Sequence, residues 1–171
     1  MRQRKRIDTR RLTRLALLTA AALIIFVIEL QIPNPVPIPG IKLGLANIIT
    51  VYAVYHFKPA EAVMLLLVRI FFGSVYGGNV SAMIFSLSGG LLCLAGMLLL
   101  KRMIDEDHIW LASVFGAVLH NLGQTVAAVF VMKTLAVMGY LPFLIFAGCI
   151  AGAFTGFSAQ LVIRRLPKEK K

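Results

Sequence analysis

Seven polar side chains stand in or at the edge of strongly apolar stretches of this 171-residue chain: Glu29, Asn47, Arg69, Asn79, His120, Asn121 and Gln124. Burying such groups in hydrocarbon is costly, so within a membrane they face a bundle interior or a cavity. Arg69 carries a planar five-donor fork whose geometry suits carboxylate or phosphate. His120 and Gln124, four residues apart, share one face of a helix. The chemistry these types offer is recognition of a small polar or anionic molecule rather than bond making. Taken alone, His120 reads more plainly as a core histidine.

Other kinds of site are missing. The chain has no GxxxxGK[ST] phosphate loop, no HExxH and no CxxC, so neither ATP hydrolysis by that route nor a zinc centre is expected. The acidic run Asp105, Glu106, Asp107 has no second cluster to complete a magnesium site and reads as a solvated loop. Cys93 and Cys149 both sit in apolar runs and read as free buried thiols. The residues call for no metal and no cofactor.

The elements that must position these residues follow from composition. Hydrophobic residues make up 59% of the chain and charged residues 15%, against an apolar share of roughly 45–50% in soluble domains. No Asp, Glu, Lys or Arg occurs from Val80 to Leu100, from Trp110 to Met132 or from Tyr140 to Ile163. Each stretch exceeds the roughly 18 uncharged residues of a spanning helix. The reading is an all-α integral membrane protein: one domain over residues 1–171, a compact bundle of six transmembrane helices at about 12–30, 42–57, 59–75, 80–100, 109–132 and 140–163. Pro33, Pro35, Pro37 and Pro39 make the first loop extended and stiff. The first apolar run lacks a small-residue cleavage site from Ile24 to Leu30, so it is expected to be a retained helix and not a signal peptide.

The net charge of +11 would point to nucleic acid on a soluble domain; here it is explained by the membrane. With the N-terminus inside, cytoplasmic segments hold 15 of the 18 Lys and Arg residues. Lys42 and Lys133 fall outside, and Arg69 lies within the bilayer. Both termini are therefore expected in the cytoplasm. This topology puts Glu29, Asn47, Arg69 and Gln124 at similar depth toward the outside, with His120 beneath. They could form an internal Arg69–Glu29 ion pair with polar interhelical links, or an outward-facing pocket roofed by the proline-rich loop.

Small residues form a second pattern. Ala16 and Ala20 are four apart in the first helix, and Gly148, Gly152 and Gly156 form a double GxxxG in the sixth. Such stripes allow close helix approach, either within this bundle or against another membrane subunit.

The combination of the basic start, the AxxxA first helix, PNPVPIPGIKLGLANI, VRIFFGSVYGG and SLSGG resembles the Gx transporter family, often labelled heptaprenyl diphosphate synthase component I. The resemblance runs from about Arg14 to Arg165. That family is similar to the substrate-binding S components of energy-coupling factor (ECF) transporters. It implies a six-helix protein of the bacterial cell membrane with an outward ligand site. Ala16 and Ala20 would dock onto an ECF transmembrane coupling subunit driven by an ATPase pair. The implied partners are thus a small-molecule ligand, those subunits and the lipid bilayer, with no nucleic acid. Prenyl diphosphate synthases resemble one another in paired DDxxD motifs, which are absent here, so no enzymatic activity is expected. The other function the label allows is a non-catalytic accessory protein linked to heptaprenyl diphosphate or menaquinone synthesis.

Overall fold

A computed structural model describes residues 9–32, 44–78 and 80–165. Six α-helices follow in order: α1 (Thr9–Gln31), α2 (Asn47–His56), α3 (Pro59–Gly77), α4 (Val80–Leu100), α5 (Ile109–Met132) and α6 (Leu141–Arg165). Short 3₁₀ turns at Glu106–His108 and Leu135–Tyr140 precede α5 and α6. The proline-rich segment, Lys42, Asn79 and residues 1–8 and 166–171 lie outside the described residues.

Helix boundaries have local causes. Pro59 opens α3, where its missing N–H costs nothing, and the Glu61 carboxylate accepts the Lys58 backbone N–H at 2.9 Å. The same carboxylate pairs with Arg11 at 2.7 Å. The chain leaves α3 through Gly78 in the left-handed region, φ +60°.

One expected span is corrected. By hydropathy the run from Lys42 to Phe57 is one crossing, but α2 begins only at Asn47 and has ten residues. Gly44, at φ +79°, breaks the helical path, and a turn follows in which Asn47 N–H reaches Gly44 O at 2.9 Å. Ten residues rise about 15 Å, half of the roughly 30 Å hydrocarbon core. Among the described residues five helices, α1 and α3 to α6, are long and apolar enough to cross a membrane.

The contacts nevertheless require the chain to return between α1 and α3. Arg11 meets Glu61 at the starts of both helices, and Phe26 packs against Gly73 near their ends, so α1 and α3 run the same way. The return is made over Gly44–Phe57. Gly44 N–H is bonded to Glu29 near the far end of α1, and Lys58 leads into α3. At the near end, Lys101 after α4 bonds the last carbonyls of α2, and Asp107 before α5 pairs with Arg164 of α6. Arg10, Arg11, Lys58, Lys101, Arg102 and Arg164 therefore share one end of the bundle, and Lys133 lies at the other.

The interior has two apolar clusters. The larger includes Leu15, Val54, Leu65, Leu66, Leu94 and Met97, toward the basic end. The smaller gathers Phe85, Ala128, Val137 and Leu144. The outer surface is apolar as well: Leu17 is 65% exposed, Phe130 77% and Phe146 66%. Water would not tolerate so continuous an apolar surface on a monomer, whereas lipid does.

Glycines bring the last three helices close. A Cβ at Gly123 would stand 2.9 Å from both Gly89 Cα and Ser88 O, and one at Gly152 would stand 2.8 Å from Val114 Cα. A Cβ at Gly156 would stand 2.6 Å from Trp110 Cα. The double GxxxG of α6 thus packs onto α5 inside this bundle and is not a free docking face.

Candidate functional site

Five of the seven polar residues named from sequence line one cleft: Glu29 from α1, Asn47 from α2, Arg69 from α3, and His120 and Gln124 from α5. Ser86 of α4 adds a hydroxyl, and Phe26, Ala82 and Ile70 add apolar wall. The cleft holds about 440 Å³ with its open mouth included.

Each of the five is buried, with Glu29 and Arg69 each 6% exposed and Gln124 1%. Arg69 Nη2 donates to Asn47 Oδ1 at 3.1 Å. Glu29 turns its carboxylate to the backbone at the start of α2: Oε1 accepts from Gly44 N–H at 2.5 Å and Oε2 from Ala46 N–H at 3.5 Å. The carboxylate thus sits at the positive end of a helix that begins within the bundle, and it satisfies amides that lipid could not. Glu29 and Arg69 are opposite charges facing one space, each with a hydrogen-bond partner on α2 or the turn before it.

The floor depends on α4. A Cβ at Gly89 would stand 2.6 Å from His120 O, 2.7 Å from Gln124 Cγ and 3.1 Å from His120 Nδ1. Only a bare backbone here lets the imidazole and the amide lie against α4, and the Ser88 hydroxyl ties the same contact by donating to Gly123 O at 2.8 Å. Gln124 Oε1 finds no hydrogen-bond partner among the described residues, while the His120 imidazole lies against the Gly89 backbone. Buried polar atoms usually have a partner, so Gln124 Oε1 marks where the cleft has unused binding capacity.

Asn121 does not belong to this site. It points the other way around α5, where Nδ2 donates to Leu144 O at 2.6 Å and lies against Gly148. One residue of helix rotates a side chain by about 100°, which carries Asn121 from the cleft to the α6 interface. Asn79 lies outside the described residues, as does the loop expected to roof the pocket. Gly44 and Gly89 are site residues that a search for polar side chains does not pick out. The sequence signal for both is a glycine within the KLGLAN and SLSGG segments.

Ala16 and Ala20 are exposed on α1. They share that surface with Leu17, Ile24 and Ile28, so among the described residues no helix covers the AxxxA stripe.

The family model described as heptaprenyl diphosphate synthase component I matches residues 18–162, and the chain belongs to that family. No curated protein and no solved structure gives a match.

Proposed function

We propose that this member of the heptaprenyl diphosphate synthase component I family is the substrate-capture subunit of an ECF-type transporter, taking a small polar ligand from outside the cell. The observation that carries the reading is the cleft. It gathers Glu29, Asn47, Arg69, His120 and Gln124 in the half of the bundle opposite the basic end. Lys and Arg mark the cytoplasmic side, so in a bacterial plasma membrane the cleft would face outward with both termini inside. A purely structural role would favour pairing off every polar group, yet Gln124 Oε1, buried in the cleft, has no partner among the described residues.

The chain has no phosphate loop, so capture would be powered by other subunits: a transmembrane coupling protein and a pair of ATPases. The uncovered Ala16/Ala20 face of α1 supports docking to the former, because small residues permit close helix approach.

A second reading is favoured by the family's own description, a component of a prenyl diphosphate synthase. Without a DDxxD motif, this chain would be a non-catalytic accessory protein in the membrane. Mass spectrometry of small molecules released from the detergent-purified protein separates the two. Under the capture reading, wild type releases a bound molecule and Arg69→Met, still folded, does not. An empty wild-type protein that instead co-purifies with a soluble synthase would establish the accessory role.

A further inference from the structure

We infer that the cleft selects an uncharged ligand with a carboxamide- or lactam-type edge rather than an anion; the inference rests on the capture reading above. Arg69 by itself would argue for a carboxylate or phosphate. The charge count argues against one. Among the described residues the formal charges lining the cleft are Glu29 and Arg69, which sum to zero with His120 as a neutral imidazole. An anion entering this space would leave one net negative charge in a low-dielectric site, where unpaired charge is strongly disfavoured. A neutral ligand keeps the balance.

The hydrogen-bonding inventory gives the ligand's shape. A guanidinium has five N–H donors, and Arg69 spends one on Asn47 Oδ1, leaving donors for a neutral carbonyl oxygen. The Glu29 carboxylate is directed to Gly44 and Ala46, so it acts as a built-in counter-ion. Gln124, 1% exposed, keeps Oε1 without a partner among the described residues, and an amide presents an acceptor and a donor side by side. The complement is a C=O/N–H edge: its N–H meets Gln124 Oε1, and carbonyl oxygens meet the Gln124 and Arg69 donors. Apolar wall from Phe26, Ala82 and Ile70 suits a flat or aliphatic body behind that edge.

The test uses isosteric pairs that differ only in charge: nicotinamide with nicotinate, and benzamide with benzoate. Binding at millimolar concentration is read by saturation-transfer NMR and by thermal shift on the purified protein in nanodiscs. The wild type is expected to bind the amides at least tenfold more tightly than the acids. Glu29→Gln keeps an oxygen for Gly44 N–H but removes the counter-charge, so the preference should reverse toward the acids; unchanged melting would show that this variant is folded. Arg69→Met should lose amide binding. Wild-type preference for the acids would overturn the neutral-ligand inference and leave the capture reading standing. A Glu29→Gln preference that does not move would overturn the counter-ion role and the inference with it. Binding of no member of either pair to the wild type would overturn the neutral-ligand inference, while release of a bound molecule from the purified protein would still uphold the capture reading.

Discussion

A half-length helix inside a membrane bundle has exposed backbone ends where water cannot reach easily, and α2 gives a quantitative test of how this chain handles them. Four N–H and four C=O groups at a helix's two ends lack intrahelical partners. At the start of α2 the Glu29 carboxylate takes the amides of the preceding turn. At its end Lys101 Nζ donates to Val54 O at 2.6 Å and to Tyr55 O at 3.4 Å, and the ammonium lies 5.7 Å from the Tyr55 ring centroid. An anion at the N-terminus and a cation at the C-terminus both oppose the helix dipole. In Lys101→Met the charge-assisted bonds are lost, at roughly 1.5–3 kcal/mol, and the dipole term adds about 0.3–1 kcal/mol. Partial access of water at this part-buried site offsets some of that, so about 2 kcal/mol is expected. For a chain of this size that corresponds to roughly 4–8 °C in Tm. The control is Arg102→Met, which removes one positive charge from the same segment and hence has the same effect on membrane orientation. Arg102 is exposed, and its loss should cost within about 0.5 kcal/mol. Heating detergent-solubilised protein and measuring the remaining monodisperse fraction by size exclusion reads both. Equal shifts, or no shift in Lys101→Met, would refute the capping account of α2.

Three further outcomes follow from other parts of the molecule. Gly123→Ala drives a methyl to within 2.9 Å of the α4 backbone; overpacking of this kind costs about 1–3 kcal/mol, and the forced separation of α4 and α5 should weaken ligand binding as well as lower Tm. Single cysteines placed by Thr134→Cys and Met103→Cys in a Cys93→Ala, Cys149→Ser background should report orientation with an impermeant maleimide. Intact cells should label the first site and permeabilised cells alone the second, with the opposite pattern reversing the topology. Ala16→Leu with Ala20→Leu, on an uncovered face of α1, should leave Tm within a degree or two while reducing co-purification of a coupling subunit; a large loss of Tm would mean that the stripe packs within the bundle.

Much of this protein was legible in its sequence because lipid imposes a simple rule. Apolar runs without charge must be helical and must be about as long as the bilayer is thick, so α4 and α5 were expected at the residues where they occur. α1, α3 and α6 differ from expectation by a few residues at their ends. The cost of burying Arg69, Asn47 and Gln124 likewise required a shared polar interior, and depth along each helix brought them to one level. The basic residues at one end of the bundle follow the same distribution that assigned them to one side.

Tertiary structure alone decided the rest, wherever the outcome depended on direction around a helix or on backbone conformation. Asn121 and Gln124 are three residues apart and equally polar, yet one ties α5 to α6 and the other lines the cleft, because only the placement of α6 determines which face is covered. The glycines of α6 could have served an outside partner or an inside one until Trp110, Ser113 and Val114 of α5 were found against them. Hydropathy counts side chains and is blind to φ, so it read Lys42–Phe57 as one span. The left-handed turn at Gly44 cuts that span to ten residues and places the first amides of α2 over Glu29. The expected Arg69–Glu29 relationship thus became a charge balance across a cleft, with each group bonded at α2 or its leading turn. That arrangement follows from where a helix starts, which composition does not encode and a single glycine does.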